Sequence, residues 1–508
     1  MSCVSFYITT PIYYVNATPH VGHAYTTIAA DIFARHRRQR GEETFFLTGT
    51  DEHGSNIARV AEEAGLEPKE FVDQNAAAFI EMTERINVSN DFFIRTTDER
   101  HERHVQEFLQ RIYDAGEIYE GVYAGLYCSR CESFYTEAEL VDGKCPQHGI
   151  PPEWVEEKNY FFRLSAYQER LLALYDENPE FVLPKFRANE ARSFIEQGLD
   201  DISVSRATQR WGVSVPWDPD QVVYVWVDAL INYWSALAFA REGDDLRERL
   251  WPEVHHLLAK DILKFHCVIW PALLMGAGIS VPKQLFVHGY LLMDDRKMSK
   301  SVGNVIDPLE LIDVYGVDAV RYYLFRAASF GQDGNISVDG LHERYERELG
   351  NDLGNLLSRT TAMVARYREG KLPVVAGSAE LAAELDGLGP KVVARLDAYD
   401  LTGGLDEIWE VVRALNRHVE QNAPWELAKD EAKADDLDRV LFDLADGLRL
   451  LAIVLAPYLP ETTPRILEAL AQDTSLDWEQ ARAGQTRAAE GIAPAEPLFP
   501  RVDSPAAV

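Results

Sequence analysis

Two short segments, far apart in the chain, carry the residues best suited to handling a polyphosphate. His20-Val21-Gly22-His23 places two imidazoles at i and i+3. That spacing puts both rings on one helical face, where each can donate a hydrogen bond to a phosphate oxygen. The segment stands where a strand hands over to a helix, so unpaired backbone N–H groups and the positive helix end favour the same anion. Gly22 leaves bare backbone against which a flat base can lie. Lys297-Met298-Ser299-Lys300-Ser301 is the second segment. Two ammonium groups there can neutralise charge developing on departing pyrophosphate. Lysine is scarce in this chain, 13 residues against 37 arginines, so two within five positions stand out. Taken singly, the first motif also reads as a packing pair and the second as a solvated basic turn; their order on one nucleotide-binding fold favours the chemical reading.

A third group has metal chemistry. Cys128-x2-Cys131 and Cys145-x2-His148, with 13 residues between the halves, is a structural-zinc spacing. Four such ligands close the site and leave no open position for catalysis. One Zn2+ per chain is expected to stabilise the segment around it.

These groups need a scaffold. Residues 4–9 and 44–48 read as strands, and 22–40 as a helix with Tyr25, Ile28, Ala29, Ile32 and Phe33 on one face. Strand-helix alternation with short links predicts an α/β fold, a Rossmann-type doubly wound parallel sheet. The pattern breaks near 116–150 and resumes near 222–227, an apolar run suited to a buried parallel strand, with further strands at 254–258 and 284–288. Asp307-Pro308 reads as a helix start and Gly316 as its end. Long helical patterns then run to about 470. The expected organisation is a first Rossmann half (1–116), a connective insertion with the zinc knuckle (117–221), a second Rossmann half (222–290), a region with the lysine motif (291–345), an all-α helix bundle (346–470) and a tail (471–508) rich in Ala, Pro and acid.

The bulk properties set limits. A length of 508 residues and 46% apolar content allow a sizeable core. The sequence shows no long apolar run, so no membrane partner is expected. Five cysteines point to a reducing compartment, hence the cytoplasm. A net charge of −32 argues against a protein that coats nucleic acid non-specifically, and no DNA partner is expected; RNA binding through a local patch stays open.

The two phosphate motifs, in this order, resemble those of class I aminoacyl-tRNA synthetases. Pro11-Ile12-Tyr13-Tyr14-Val15-Asn16, Gly49-Thr50-Asp51-Glu52-His53-Gly54, Val225-Trp226-Val227-Asp228-Ala229 and Phe286-Val287-His288-Gly289-Tyr290 are similar to the methionyl-tRNA synthetase family, single-knuckle form. The resemblance covers residues 4 to about 460. It implies activation of L-methionine with ATP, accompanied by Mg2+, followed by transfer to tRNA(Met), initiator included. His20, Gly22, His23, Lys297, Ser299 and Lys300 would handle ATP, with Lys260-Asp261 matching the family's ribose-contacting pair. Tyr14, Trp226, Ala229, Tyr233 and His288 match its methionine pocket. Asp51 can meet the α-ammonium, and the Tyr233 hydroxyl and Ile12 N–H can reach the thioether. Asn355, Arg359 and Trp425 resemble anticodon-reading positions. Leucyl, isoleucyl and valyl relatives carry a larger domain between the motifs. Other His-x-Gly-His nucleotidyl transferases are far shorter. A catalytically dead tRNA-binding paralogue would not keep every motif histidine and lysine. No strand set of the OB type follows the bundle, so a monomer is expected.

Overall fold

In the computed structural model, which describes residues 5–146, 149–293, 295–297 and 306–503 (of Lys297 the backbone alone), the apolar runs become strands covered on both faces. One sheet contains β1 (Ser5–Thr9), β2 (Tyr13–Tyr14), β3 (Glu43–Asp51), β4 (Phe92–Arg95), β5 (Val182–Leu183), β6 (Val254–Ala259) and β7 (Gln284–His288). Its pairings are parallel. β1 and β2 lie along one side of β3 and β4 along the other; β6, β7 and β5 follow on the far side of β1. The chain thus leaves β1 toward β3 on one side and returns at β6 on the other. A crevice opens at the carboxyl ends of the strands where the order switches, the usual ligand position in such sheets. The fold class read from the sequence, a split parallel sheet followed by helices, is the one observed. Strand β5 lies within the stretch read as insertion yet adds the outer strand of the main sheet.

Helix α1 (Val21–Gln39) follows β2 and packs against the sheet through Ile28, Ala29, Ile32 and Phe33. Arg37 and Arg38 in its last turn suit the negative end of its dipole, and Gly41 at φ 76° ends it.

The parallel strand expected over 222–227 does not form. Asp218–Val223 is the middle strand of a small antiparallel sheet, and Val225–Ser235 is a helix, α2, buried almost all round. An apolar run with no polar face gives no period by which to tell a strand from a buried helix. The outcome matters for the site: Trp226, Ala229 and Tyr233 fall at i, i+3 and i+7, on one helical face. After β6 the chain makes a π-helical turn, Phe265–Ile269, beside the same crevice.

Helices α3 (Pro308–Tyr315) and α4 (Val317–Arg326) lead to the bundle. Asp307 caps α3 by accepting from Leu309 N at 2.8 Å, and Gly316 at φ 81° ends it, as the sequence indicated. The main bundle helices are α5 (Asn355–Arg368), α6 (Ala379–Asp397), α7 (Leu401–Asn422) and α8 (Ala434–Leu455). Residues 471–503 pack back on them. The Arg449 guanidinium on α8 donates to the carbonyls of Gln480 and Arg482, while Asp446 accepts from the N–H groups of Gly484 and Thr486. No helix among the described residues is long and apolar enough to cross a membrane.

A buried clasp joins sheet and bundle. Arg321 on α4 is fully buried; it donates to Asp31 on α1 at 2.6 Å and to the carbonyls of Ile86, Asn87, Pro457 and Tyr458. Asp31 accepts further from Arg35 and Ser89. A buried charge pair is tolerated when its hydrogen-bonding groups are this well used, and removing one partner strands the other. Arg321→Leu is therefore expected to cost about 3–5 kcal/mol in urea unfolding; a loss below about 1 kcal/mol would contradict the clasp.

Candidate active site

The first motif builds its own geometry. His20 is the N-cap of α1, and its Nδ1 accepts from Gly22 N at 3.1 Å. His23 Nδ1 in turn accepts from His20 N, also at 3.1 Å, so two imidazoles complete a capping box usually made by Ser or Thr with Glu. With each Nδ1 used as an acceptor, the neutral ring carries its proton on Nε2. The rings stack with centroids 3.8 Å apart, and His23 is edged by Tyr13 and Phe79. A Cβ on Gly22 would sit 2.9 Å from His20 Cε1, so a larger residue here would push the capping ring aside.

A cavity of about 320 Å³ opens beside this pair at the switch point. Ile12 and Tyr14 line it from the β1–β2 edge, His20, Gly22 and His23 from the start of α1, and Asp51 from the end of β3. Trp226, Ala229 and Tyr233 enter from α2, with Asp261 and His288 completing the wall at the ends of β6 and β7. Eleven residues singled out from the sequence thus meet in one place.

Their electrostatics are specific. Asp51 is 6% exposed, and its Oδ1 has no hydrogen-bond partner among the described residues. Burial, then the carboxylates of Asp228, Glu132 and Glu52, push its carboxyl well above the usual range. A cation entering the cavity would relieve that repulsion. His288 Nδ1 donates to Gly289 O at 2.7 Å, leaving Nε2 to accept from Thr26 Oγ1 at 2.8 Å, and burial lowers this imidazole to about 4. Trp226 stacks on Phe265, centroids 4.3 Å apart, and donates Nε1–H to Cys131 O. The Tyr233 hydroxyl is not turned to the cavity as a donor. His266 Nδ1 donates to Ile262 O, so its Nε2 accepts, and Tyr233 O–H donates to it at 2.8 Å.

Sequence reasoning missed a buried relay under the cavity floor. Asp228 on α2 accepts from His53 Nδ1 at 2.7 Å and from His101 Nε2 at 2.8 Å, and His101 Nδ1 contacts Ser235 Oγ. Burial alone would raise Asp228, but the flanking imidazoles outweigh it and hold the carboxyl at about 2. His53 and Asp228 both sat in segments noticed in the sequence; nothing local announced that they pair.

The remaining residues fall outside the cavity lining. Lys260 Nζ binds Asp333 at 2.6 Å and lies over the Tyr290 ring. Lys297 lies in a two-residue strand whose partner, Leu291–Met293, begins at the cavity wall. Val21 N donates to Ile306 O at 3.2 Å, so the chain on both sides of the second motif is fixed beside the first. Ser299 and Lys300 themselves lie outside the described residues.

The sulfur atoms of Cys128, Cys131 and Cys145, all buried, lie within 4.8 Å of one another and can hold a metal ion. His148 lies outside the described residues. On the bundle, Asn355 starts α5 and donates to Asn351 Oδ1; Arg359, one turn on, reaches across to Glu420 near the end of α7 at 2.7 Å. Trp425, 39% exposed, follows on the short helix Pro424–Leu427.

A parallel sheet with paired histidines at its switch point, and with the chain flanking a basic segment held beside them, defines a class of nucleotide-binding ligases. The family described as "tRNA synthetases class I (M)" matches residues 6–150 and 147–361. The methionine–tRNA ligase of Caldanaerobacter subterraneus subsp. tengcongensis is 47% identical over 98% of this chain and 79% of its own length. That of Streptomyces coelicolor is 44% identical over 98% and 97%. The structure of Mycobacterium tuberculosis methionyl-tRNA synthetase in complex with methionyl-adenylate superposes with a TM-score of 0.94 at 42% identity, covering 98% of this chain and all of that one. The chain belongs to the methionine–tRNA ligases, a family of class I tRNA synthetases.

Proposed function

We propose that the chain activates L-methionine with ATP and transfers the methionyl group to tRNA(Met), initiator included. The observation that carries this reading is the single cavity in which a buried, uncompensated carboxylate, an aromatic wall and the two-histidine cap face one another. In the first step the methionine carboxylate oxygen attacks the α-phosphorus, and pyrophosphate departs. No general base is needed, because the nucleophile is already an anion; positioning and charge neutralisation carry the step. In the second step a hydroxyl of the tRNA terminal ribose attacks the carbonyl carbon, and AMP leaves.

In this reading Asp51 pairs with the α-ammonium, and Tyr14, Trp226, Ala229, Tyr233 and His288 enclose the side chain. His20 and His23 donate Nε2–H to phosphate oxygens, with Gly22 against the nucleotide. Lys297, Ser299 and Lys300 meet the leaving pyrophosphate, and Lys260 and Asp261 serve the ribose. Magnesium accompanies ATP and screens its phosphates. Asn355, Arg359 and Trp425 read the anticodon. The scarcity of cysteine supports a cytoplasmic location, and we read the chain as a monomer. Methionine-dependent pyrophosphate exchange tests the function: only methionine among the amino acids should support rapid exchange, and equal exchange with another would overturn the assignment.

The three converging thiols suit zinc, with His148 as fourth ligand and no role in the chemistry. Bound zinc would be about one per chain. Cys131→Ser is expected to lose most of it by atomic absorption and to expose residues 117–162 to protease. Full metal retention, or unchanged cleavage after chelation, would remove zinc from the account.

A further inference from the structure

Glu132 follows the second cysteine of the knuckle, and neither the motifs nor the mechanism use it. It is 2% exposed and held at φ 51°, in the left-handed region. Its carboxylate accepts from Tyr14 Oη at 2.7 Å, Ser55 Oγ at 2.8 Å and Asn56 N at 2.8 Å. Its backbone carbonyl accepts from Tyr224 Oη at 2.5 Å, and the preceding carbonyl, of Cys131, accepts from Trp226 Nε1 at 3.2 Å.

Two of these partners, Tyr14 and Trp226, line the cavity. Tyr14 and Asp51 are direct register partners of β2 and β3. Helix Ser55–Glu63 starts four residues after Asp51, and its N-cap, Gly54, has no side chain to offer. The Glu132 carboxylate takes that place from another part of the chain, putting a negative charge where the helix end welcomes it. The fit is close: a Cβ on Gly54 would lie 2.4 Å from Glu132 Oε2. One carboxylate therefore grips the chain on either side of Asp51, by the phenol of its register partner and by the helix that follows it.

We propose that Glu132 is a positioning residue for the amino-acid pocket, fastening Tyr14 and the turn after Asp51 to the cysteine knuckle. The inference rests on the reading of this cavity as the methionine site. Exchange by the wild-type enzyme tests that reading; the variants below test only the inference.

Losing a buried charge-assisted hydrogen bond at each end should loosen the grip on methionine and spare ATP. Glu132→Ala is expected to raise the methionine KM about tenfold or more in pyrophosphate exchange, with the ATP KM within about twofold and zinc content unchanged. Glu132→Gln keeps an oxygen for Asn56 N and Ser55 and an N–H for the Tyr14 oxygen, so it should recover most of the affinity. A methionine KM within twofold of wild type in Glu132→Ala overturns the proposal. So does an equal rise in both KM values, or a Glu132→Gln as impaired as the alanine variant. Should Glu132→Ala fail to fold, Tyr14→Phe decides, since it removes one hydroxyl and no packing: a methionine KM raised severalfold supports the grip, and an unchanged one overturns it.

Discussion

Replacing His23 by alanine is expected to slow methionine-dependent pyrophosphate exchange by about 10²–10³, the usual effect of removing one donor aimed at developing negative charge. The expectation follows from the cap. His23 Nδ1 is occupied by His20 N, so the neutral ring presents its proton on Nε2. Alanine removes that donor and the cap acceptor together, and the second loss should cost about 1 kcal/mol of stability. His23→Asn separates them. An amide oxygen can restore the cap and bring back the urea midpoint, while the rate stays low. A loss of exchange below about fivefold in His23→Ala, in a folded protein saturated with methionine and ATP, would show that the motif is a helix start and little more.

Trp425→Ala should do the opposite. Stacking of one base on an aromatic side chain is worth about 1–3 kcal/mol, so tRNA charging should fall roughly 10- to 100-fold in kcat/KM. Exchange, which needs no tRNA, should stay within about twofold. The indole is 39% exposed on a helix of four residues, and among the described residues it enters no ring stack, so its removal should disturb the bundle core little. Equal losses in charging and exchange would mean that the residue supports the fold.

Much of this was legible in the sequence because the chemistry fixes residue type and spacing together. Two histidines at i and i+3 after a strand and two lysines in five positions point to a phosphate only when taken together in this order, whereas the paired Cys-x2-Cys/His halves point to a metal by spacing alone. The split sheet followed by strand alternation and Gly41, Asp307 and Gly316 at the expected punctuation. What stayed hidden depends on contacts across the fold. Val222–Val227 is apolar at every position, so it carries no period, and the end of an antiparallel strand and the start of a buried helix read together as one parallel strand. Asp228 meets His53 and His101 only because α2 packs against the helix Glu99–Asp114, which carries His101, beside the turn that follows β3. Glu132 lies between two cysteines and reads as a surface acid until the knuckle is seen to dock on Tyr14 and Asn56. The sequence suits the Tyr233 hydroxyl to a thioether, yet the tautomer imposed on His266 by Ile262 O claims it.

The strap over the bundle has a practical meaning for anyone who wishes to isolate that half of the molecule. Asp446 and Arg449 sit within one turn of α8 and both spend their hydrogen bonds on residues 480–486. A fragment ending soon after residue 470 would bare two opposite charges built for burial, along with the apolar surface beneath Ile492 and Leu498. The smallest excisable helical module therefore has its boundary near residue 500, and a shorter one would be sticky and poorly soluble.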